Sequence, residues 1–308
     1  MSYLIGIDGG GSKTSAILAG LDGTIAGRGS GGSSNYHAAG IETACASLDQ
    51  ALRSAFQDAG LDPDPKLVKM ACFGLAGVDR PEDQAPMRSW AERTWPGMSV
   101  MFVSDARLVL AAGTPDGWGL GVVSGTGSIV YGRGPQGQTA RAGGWGYLLG
   151  DEGSGYDIAL HALRSVMRAA DGRGPQTALT GLVLAHWSLE KAHDLVSFIY
   201  RPAVTKTDIA ALAVLVEQAA SQSDPVARGI LGHAAQELAL AASIVYNRLD
   251  LPSPAPCALV GGVLTRGNLV VAEFSAAARE YGLQLSPLQQ VYDPALGAVR
   301  LAREHAQP

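Results

Sequence analysis

The feature that most constrains this 308-residue chain is a glycine-rich turn between two short apolar segments, and it occurs twice. The first turn, Asp8–Thr14, follows the apolar segment Tyr3–Ile7, and the second, Ser124–Ser128, follows Leu120–Ser124. Short apolar segments bounded by such turns are typical of β-strands. An apolar segment rather than a helical pattern follows each turn, which disfavours a dinucleotide-binding Rossmann unit. The pattern therefore predicts two similar units, each starting with three antiparallel strands.

Helical and strand patterns alternate after the first three predicted strands. The predicted helices are Ile41–Ala59, Gln84–Thr94, Arg107–Ala112, most of residues 155–249, and Pro294–Glu304. The further predicted strands are Val68–Phe73, Ser99–Val103, Thr139–Ala142 and Cys257–Val260. This order predicts an α/β protein with an N-terminal domain over residues 1–114 and a C-terminal domain with a helical insertion over residues 115–293. A terminal helix over residues 294–308 is expected to pack back on the N-terminal domain.

Composition narrows the classes of partner. Net charge is −5 and no basic run stands out, so a nucleic acid or an anionic membrane surface is not expected as the main partner. No stretch approaches the roughly 18 uninterrupted apolar residues of a membrane span, and the N-terminus lacks a signal-peptide pattern. The three cysteines are scattered singly, which disfavours a disulfide framework, a structural zinc or an iron–sulfur cluster. We therefore expect a cytoplasmic protein.

The residues of the first turn suit an anion. Consecutive glycines let backbone N–H groups point together at a phosphate, while Ser12 and Thr14 add hydroxyl donors and Lys13 adds positive charge. Asp8, at the end of the first predicted strand, is a candidate carboxylate for a hydrated divalent cation. Taken alone, the run could equally be a plain hairpin with a solvated aspartate. The glycine pair Gly261-Gly262 also follows an apolar strand. With the turns Asp8–Thr14 and Ser124–Ser128, three glycine turns therefore lie at strand ends.

Together these segments resemble a known superfamily. Asp8–Thr14, Ser124–Ser128 and Leu259–Val263 resemble the phosphate-1, phosphate-2 and adenosine motifs of the sugar kinases, heat-shock chaperones and actin. Over nearly the whole chain the resemblance is to the N-acetylglucosamine kinase-like members of the BadF/BadG/BcrA/BcrD ATPase family. The distinctive segments are Gly31–Asn35, Phe73–Gly77, Ser104–Ala106, Gly143–Gly155 and Asp293–Ala298.

The resemblance implies an architecture and ligands. The fold would be two ribonuclease-H-like (actin-like ATPase) domains with mixed five-stranded sheets, and nucleotide and sugar would bind in the interdomain cleft. ATP and Mg²⁺ would be the cofactors, an amino sugar the small-molecule partner, and a homodimer the assembly. Asp8 would hold the metal. Nucleotide contacts would come from Gly10, Gly11, Ser12, Lys13, Thr14, Thr126, Gly127, Gly261 and Gly262, and adenine and ribose contacts are expected around Asp208–Ala213 and Gly261–Gly262.

Asp105 is the candidate general base. It follows a predicted strand, and phosphoryl transfer needs one group to accept the proton of the attacking hydroxyl. The matching aspartate has this role in hexose kinases of the superfamily. The structural alternative is an aspartate that caps the helix after it.

The resemblance also implies the sugar contacts Asn35, Asp105, Gly144, Trp145 and Asp151. An amide side chain offers both a donor and an acceptor, an indole ring stacks on a sugar face, and a carboxylate accepts hydroxyl hydrogen bonds. The role of Glu152 stays open between metal binding and helix capping. His37 stays open between a substrate contact and an ordinary loop residue.

The leading hypothesis is an ATP-dependent kinase that converts N-acetylglucosamine to its 6-phosphate. Glucosamine and N-acetylmuramic acid are the alternative substrates. Two other classes remain as alternatives: an activator-type ATPase that couples ATP hydrolysis to a partner enzyme, and a non-catalytic nucleotide-gated sugar sensor. Activators of this kind use a cysteine-ligated cluster between two subunits, and none of the cysteines here lies in such a setting.

Overall fold

The computed structural model describes residues 2–11, 13–78 and 81–306, and every structural statement below concerns these residues. Within them, ten strands form two five-stranded sheets. The strands of the first sheet are β1 (Tyr3–Gly9), β2 (Thr14–Gly20), β3 (Ile25–Gly31), β4 (Val68–Leu75) and β5 (Val100–Ser104). Those of the second sheet are β6 (Gly119–Ser124), β7 (Ser128–Arg133), β8 (Thr139–Gly143), β9 (Ala255–Val260) and β10 (Leu285–Val291).

Helices fill the connections between the strands. The first four are α1 (Tyr36–Ala39), α2 (Ile41–Asp58), α3 (Pro81–Thr94) and α4 (Asp105–Gly113). Between β8 and β9 lie α5 (Gly155–Ala170), α6 (Leu179–His186), α7 (Asp194–Ile199), α8 (Lys206–Ala210), α9 (Ala213–Ser221) and α10 (Pro225–Leu249). The last three are α11 (Gly262–Arg266), α12 (Asn268–Glu280) and α13 (Ala295–Ala306).

The two sheets have the same topology. The strand order is β3-β2-β1-β4-β5 in the first and β8-β7-β6-β9-β10 in the second. In each sheet the first three strands are antiparallel and the other two run parallel to the first. The predicted fold class, α/β with two mixed five-stranded sheets, is confirmed.

The chain divides into two compact units, Met1–Gly117 with Asp293–Pro308, and Trp118–Tyr292. In the first unit the C-terminal helix α13 covers one face of the sheet, where its Ala298 and Leu301 join an apolar cluster with Leu4 and Cys72. The terminal segment therefore belongs to the core of the first unit although 175 residues of the second precede it.

Glycines in β3 set the distance between the first sheet and α2. Gly27, Gly29 and Gly31 alternate along the strand, so all three face the helix. A Cβ atom at Gly29 would lie only 2.0 Å from the carbonyl oxygen of Ala51, and one at Gly31 only 2.1 Å from that of Ser47. Because larger side chains would separate the two elements, the glycines allow α2 to lie directly on the strand. The loop that follows β3 therefore begins where the strand is packed closely against α2.

The inserted helices of the second unit form their own apolar core. The amphipathic helix α5 packs Ile158 and Val166 against Val216 of α9 and Leu231 of α10. None of the helices in the described ranges has the length and apolarity needed to cross a membrane. The long helix α10 instead spans both the second sheet and the helical core, and its buried residues occur in both apolar clusters.

The local sequence pattern does not predict strand β10. Pro287 lies in the middle of the segment, and proline lacks the N–H group that a central strand would need. The strand occupies the edge of its sheet, beside β9, and its pairing is irregular between Leu285 and Leu288. Its edge position explains why a proline is tolerated there.

Candidate active site

Carboxylates collect at one edge of the first sheet. Gly9 pairs with Leu75 and Leu75 pairs with Ser104, so β1, β4 and β5 end side by side. Asp8 lies near the end of β1 and Asp105 directly follows β5, which separates their backbones by about two strand spacings, roughly 10 Å. The topology therefore brings Asp8, the predicted metal ligand, and Asp105, the predicted base, to the same end of the sheet, where the parallel strands finish.

The Asp8 carboxyl is held in an unfavourable place for a negative charge. Burial, followed by repulsion from Asp105, raises the pKa of Asp8 from 3.8 to about 6, while Lys13 opposes the shift and Asp293 adds to it. Asp293 itself pairs with Arg28, with 2.6 Å between Nη1 and Oδ2. An added cation would therefore favour the ionised form of Asp8, which burial and repulsion disfavour.

Asp105 is the first residue of α4, whose N-cap position belongs to Ser104. Its Oδ1 atom accepts a hydrogen bond from the Ala106 N–H at 2.8 Å. The side chain is half-buried. The N-terminus of a helix stabilises negative charge, so this position favours the ionised carboxylate that a general base requires. Asp105 is therefore at the start of the helix, as the capping alternative requires, but it does not occupy the N-cap.

The glycine turn after β1 is closed by its own backbone. The Gly10 N–H donates to the Lys13 carbonyl oxygen at 3.0 Å, and Gly11 and Lys13 are exposed. Thr14 is fully buried, and its hydroxyl donates to the Gly32 carbonyl oxygen at 2.8 Å. Its side chain therefore stabilises the turn, whereas Gly10, Gly11 and Lys13 lie at its surface. The predicted contact Ser12 lies outside the described residues.

Asn35 lies on the loop between β3 and α1, next to the glycine turn. The N–H of Ser34 donates to the Gly10 carbonyl oxygen at 3.2 Å, which joins the loop to the turn. Asn35 is the N-cap of α1, and its Oδ1 atom accepts from the His37 N–H at 3.1 Å. The amide oxygen is thus engaged in the cap, and the Nδ2 group is the end that can donate to a ligand.

In the second unit, the turn after β6 is joined to the loop that precedes α5. Ser124 Oγ donates to the Gly153 carbonyl oxygen, Ser128 Oγ donates to that of Glu152, and the Gly155 N–H donates to that of Gly125, each at 2.7 Å. These three bonds fix the loop to the turn. The predicted phosphate-2 turn and the predicted sugar loop are therefore parts of one structure.

Asp151 lies against this turn. It has a left-handed backbone with φ of 58°, and its Oδ1 atom accepts from the Gly146 N–H at 3.2 Å. A Cβ atom at Gly127 would lie only 2.7 Å from Asp151 Oδ2. Burial raises the pKa of Asp151, against the opposing effects of backbone hydrogen bonds and of Lys206. The residue expected to bind sugar thus contacts a residue expected to bind nucleotide.

Trp145 is the aromatic side chain of the loop. It is 64% exposed, and the Arg141 guanidinium carbon lies 5.1 Å from its ring centroid. Gly144, beside it, has a φ of +71° and lies against Ile129, so the loop bends there. With Glu152, the indole lines a cavity of about 260 Å³. Most of the indole is therefore exposed, with the Arg141 guanidinium as its cationic neighbour.

A cavity of about 350 Å³ lies between the turn after β6 and the inserted helices. The predicted residues Thr126 and Gly262 line it. Gly261 precedes the lining residue Gly262 and has a φ of +98°. A Cβ atom at Gly261 would lie 2.2 Å from the Ser124 carbonyl oxygen. Other lining residues are Ile158, Thr207, Ala210, Ala211, Val214 and Arg266. The region expected to contact adenine and ribose thus borders the cavity, although Asp208 instead belongs to a capping box with Thr205.

One residue near these groups, Lys206, has no signal in the sequence pattern. The Lys206 ammonium group lies 4.7 Å from the ring centroid of Tyr147, which in turn contacts the Tyr156 ring edge-on. Lys206 starts α8, 55 residues after Asp151, and only the folded chain brings the two close enough for their charges to interact. Its position relative to Asp151 depends on the fold of the inserted helices, so spacing alone could not have identified it.

Comparison with known proteins identifies the relatives of the chain. A kinase of Clostridium acetobutylicum named N-acetylmuramic acid/N-acetylglucosamine kinase is 35% identical, with 98% of this chain and 99% of that protein covered. An N-acetyl-D-glucosamine kinase of Dictyostelium discoideum is 33% identical, with 97% of each chain covered. A crystal structure from Chromobacterium violaceum, provisionally named an N-acetylglucosamine kinase, has a TM-score of 0.76 at 29% identity, covering 98% of this chain and 99% of that one.

The match to a family spans almost the whole sequence. Residues 5–302 match the BadF/BadG/BcrA/BcrD ATPase family, a range that contains all the carboxylates and glycine turns described above. The predicted resemblance is confirmed. This chain belongs to the BadF/BadG/BcrA/BcrD ATPase family.

Proposed function

We propose that the protein is an ATP-dependent amino sugar kinase that forms N-acetylglucosamine 6-phosphate. The observation that carries the proposal is the Asp8–Asp105 pair at the end of the first sheet, in a chain whose full-length relatives are named N-acetylglucosamine kinases. Asp8, a half-buried carboxylate, and Asp105, a carboxylate at the start of a helix, suit a reaction in which one group binds a cation and the other accepts a proton. An activator-type ATPase is not favoured by these relatives.

Asp105 acts as the general base in this proposal. Its carboxylate accepts the proton of the sugar 6-hydroxyl as that oxygen attacks the γ-phosphorus of ATP. A new oxygen–phosphorus bond forms, the bond between the γ-phosphorus and the β–γ bridging oxygen breaks, and ADP leaves. Phosphoryl transfer depends mainly on positioning and charge stabilisation, so one positioned base is sufficient protein chemistry at the attacking oxygen.

Asp8 is the proposed magnesium ligand. Among the described residues no group of three His, Cys, Asp or Glu side chains is arranged to hold a metal, so the protein would not enclose the ion completely. Magnesium commonly binds through one or two carboxylates, waters and substrate phosphates, and a cation would offset the burial and the charge repulsion that raise the pKa of Asp8. When bound, Mg²⁺ supplies positive charge that neutralises the triphosphate.

The nucleotide is assigned to the glycine turns and to the 350 Å³ cavity. The backbone at Gly10, Gly11, Thr14 and Gly127, with Ser12, Lys13 and Thr126, would contact the phosphates. Gly261 and Gly262 would border the adenosine. The cavity has room for a nucleoside and an apolar wall that suits a purine ring.

The amino sugar is assigned to Asn35, Gly144, Trp145 and Asp151. Asn35 Nδ2 would donate to an oxygen of the sugar, Asp151 would accept from hydroxyls, and the indole would stack on the ring. Gly144 allows the backbone to approach the ligand.

The remaining features of the proposal concern the whole molecule. We place the domain boundaries after residues 114 and 293, with residues 294–308 as a terminal helix, and expect a cytoplasmic homodimer. Light scattering on the eluate of a size-exclusion column measures the assembly directly, and a mass of one chain would contradict the dimer.

An assay of ADP release across a sugar panel tests the function. N-acetylglucosamine, glucosamine, N-acetylmannosamine, N-acetylmuramic acid and glucose are compared at equal concentrations with ATP and Mg²⁺. The highest kcat/KM is expected with N-acetylglucosamine. A higher value with N-acetylmuramic acid, also named for the Clostridium relative, would change the assigned substrate, and no turnover with any sugar would contradict the kinase.

Replacing Asn35 by Asp tests the proposed sugar contact. Asp is as good an N-cap as Asn, so the bond from the His37 N–H is kept while the Nδ2 donor is lost. We expect the KM for the sugar to rise about tenfold, as loss of about 1.4 kcal/mol implies, with an unchanged Tm. Asn268→Asp, at the exposed start of α12, is the matched control. An unchanged sugar KM in Asn35→Asp would remove Asn35 from the site.

A further inference from the structure

We propose that His37 is a positioning residue that fixes the sugar-facing amide of Asn35, an inference that rests on the proposed kinase function. His37 itself is assigned no contact with the sugar. It acts through two bonds, one from its backbone and one from its ring, that hold the Asn35 loop in a single orientation.

The first bond determines which end of the Asn35 amide faces outward. The His37 N–H can only donate, so the Asn35 atom 3.1 Å away must be the carbonyl oxygen Oδ1. The Nδ2 group therefore points away from α1. If His37 shifted, Asn35 could rotate about its side-chain torsions, and a ligand would meet oxygen and nitrogen in varying positions.

The second bond joins α1 to the segment after β4. His37 Nε2 lies 3.1 Å from the Gly77 carbonyl oxygen, which only accepts, so Nε2 carries the proton of this bond. The same ring nitrogen lies 3.5 Å from Asp83 Oδ1, which also accepts from the Tyr36 hydroxyl at 3.1 Å. The Tyr36 and His37 rings are in contact, with 4.0 Å between centroids and their planes tilted by 33°. The side chains of Tyr36 and His37 thus both contact residues that follow β4.

Gly77 is shaped for this contact. Its φ of +82° is a left-handed conformation that glycine adopts readily. A Cβ atom there would lie 2.9 Å from His37 Cδ2 and 3.5 Å from Asn35 Oδ1. The absence of a side chain at Gly77 therefore lets both His37 and Asn35 lie against the same backbone.

These contacts matter because α1 is short and only partly covered, with Tyr36 packed against the apolar cluster of the first sheet. The helix has four residues, and none of them is buried. A single helical turn is not stable by itself in water, since its nucleation is unfavourable. The polar contacts of the His37 ring and the Tyr36 hydroxyl therefore add to the packing of Tyr36 in restraining the loop that carries Asn35.

Calorimetric binding of N-acetylglucosamine and steady-state kinetics of His37→Ala test the inference. We expect the Kd and the KM for the sugar to rise about fivefold to tenfold, as loss of one hydrogen bond implies, with the KM for ATP within twofold of the wild type. His37→Gln should recover most of the loss, because its amide nitrogen can donate to the Gly77 carbonyl. His193→Ala, at an exposed histidine before α7, is the control and should change nothing.

The double variant Asn35→Asp/His37→Ala separates positioning from general destabilisation. If His37 acts through Asn35, its loss adds less than twofold to the sugar Kd of Asn35→Asp. The inference would be overturned if the increases in sugar Kd of the two single variants multiplied in the double variant. An unchanged sugar Kd in His37→Ala would also overturn it. A wild-type protein that binds the sugar but does not phosphorylate it would contradict the proposed function and leave the binding test of His37 valid. A wild-type protein that binds no amino sugar would overturn both.

Discussion

Asp105→Asn lowers kcat for sugar phosphorylation by about 100-fold to 10,000-fold, the range that loss of a general base produces. Asn has nearly the same shape as Asp and keeps an oxygen that can accept from the Ala106 N–H. It cannot accept the proton of the sugar hydroxyl. The affinity for ATP is therefore expected to stay close to the wild-type value and the Tm is not expected to fall, while turnover is strongly reduced.

A control for Asp105→Asn is available in the second unit. Asp194 is also the first residue of a helix, α7, and its carboxylate accepts from the Lys191 N–H at 3.1 Å. Asp194→Asn removes a comparable charge from a helix start far along the chain, and its kcat should match the wild type. Single-turnover kinetics with both variants measure the chemical step. Full activity in Asp105→Asn would show that another group accepts the proton.

Asp8→Asn should abolish turnover and at the same time stabilise the protein in the absence of divalent cations. Burial and the charge of Asp105 raise the pKa of Asp8 to about 6, so the ionised carboxylate is a cost to the folded state. The folded protein binds more protons than the unfolded chain between pH 4 and pH 6. Stability from this group is therefore fully present below pH 4 and is lost as the pH rises through 6.

The size of the stability change follows from the shift. One pKa unit corresponds to about 1.4 kcal/mol, and the pKa rises from 3.8 to about 6, so we expect Asp8→Asn to gain about 3 kcal/mol in free energy of unfolding at pH 8. At pH 4, where Asp8 is protonated, the gain should disappear. Urea unfolding at both pH values in the presence of EDTA measures the difference. A variant less stable than the wild type at pH 8, or one that retains turnover, would contradict the assigned role of Asp8.

Much of the fold could be predicted because its signals are local. The glycine turns and short apolar segments marked both three-strand units, and helical spacing marked α2 and α13. Strand β10 could not be predicted, since Pro287 disrupts the pattern and only its place at the edge of the sheet makes it compatible with pairing.

The candidate site was predictable in its residue types and less so in its contacts. Asp8 and Asp105 each lie at a strand end, where functional side chains in parallel sheets collect. The partner of Thr14 lies 18 residues away at Gly32, and a pattern cannot tell such a buried hydroxyl from a ligand contact. Lys206 and the ring contacts of His37 depend on loops meeting in three dimensions.

The stoichiometry of the reaction tests the central claim most directly. Wild-type protein is incubated with ATP, Mg²⁺ and N-acetylglucosamine, and ³¹P NMR follows ADP and phosphomonoester together. An amino sugar kinase forms one sugar monophosphate for each ADP, with the phosphorus signal coupled to the protons on carbon 6. ADP that accumulates with inorganic phosphate and without a sugar phosphate would contradict the kinase and point to an ATPase.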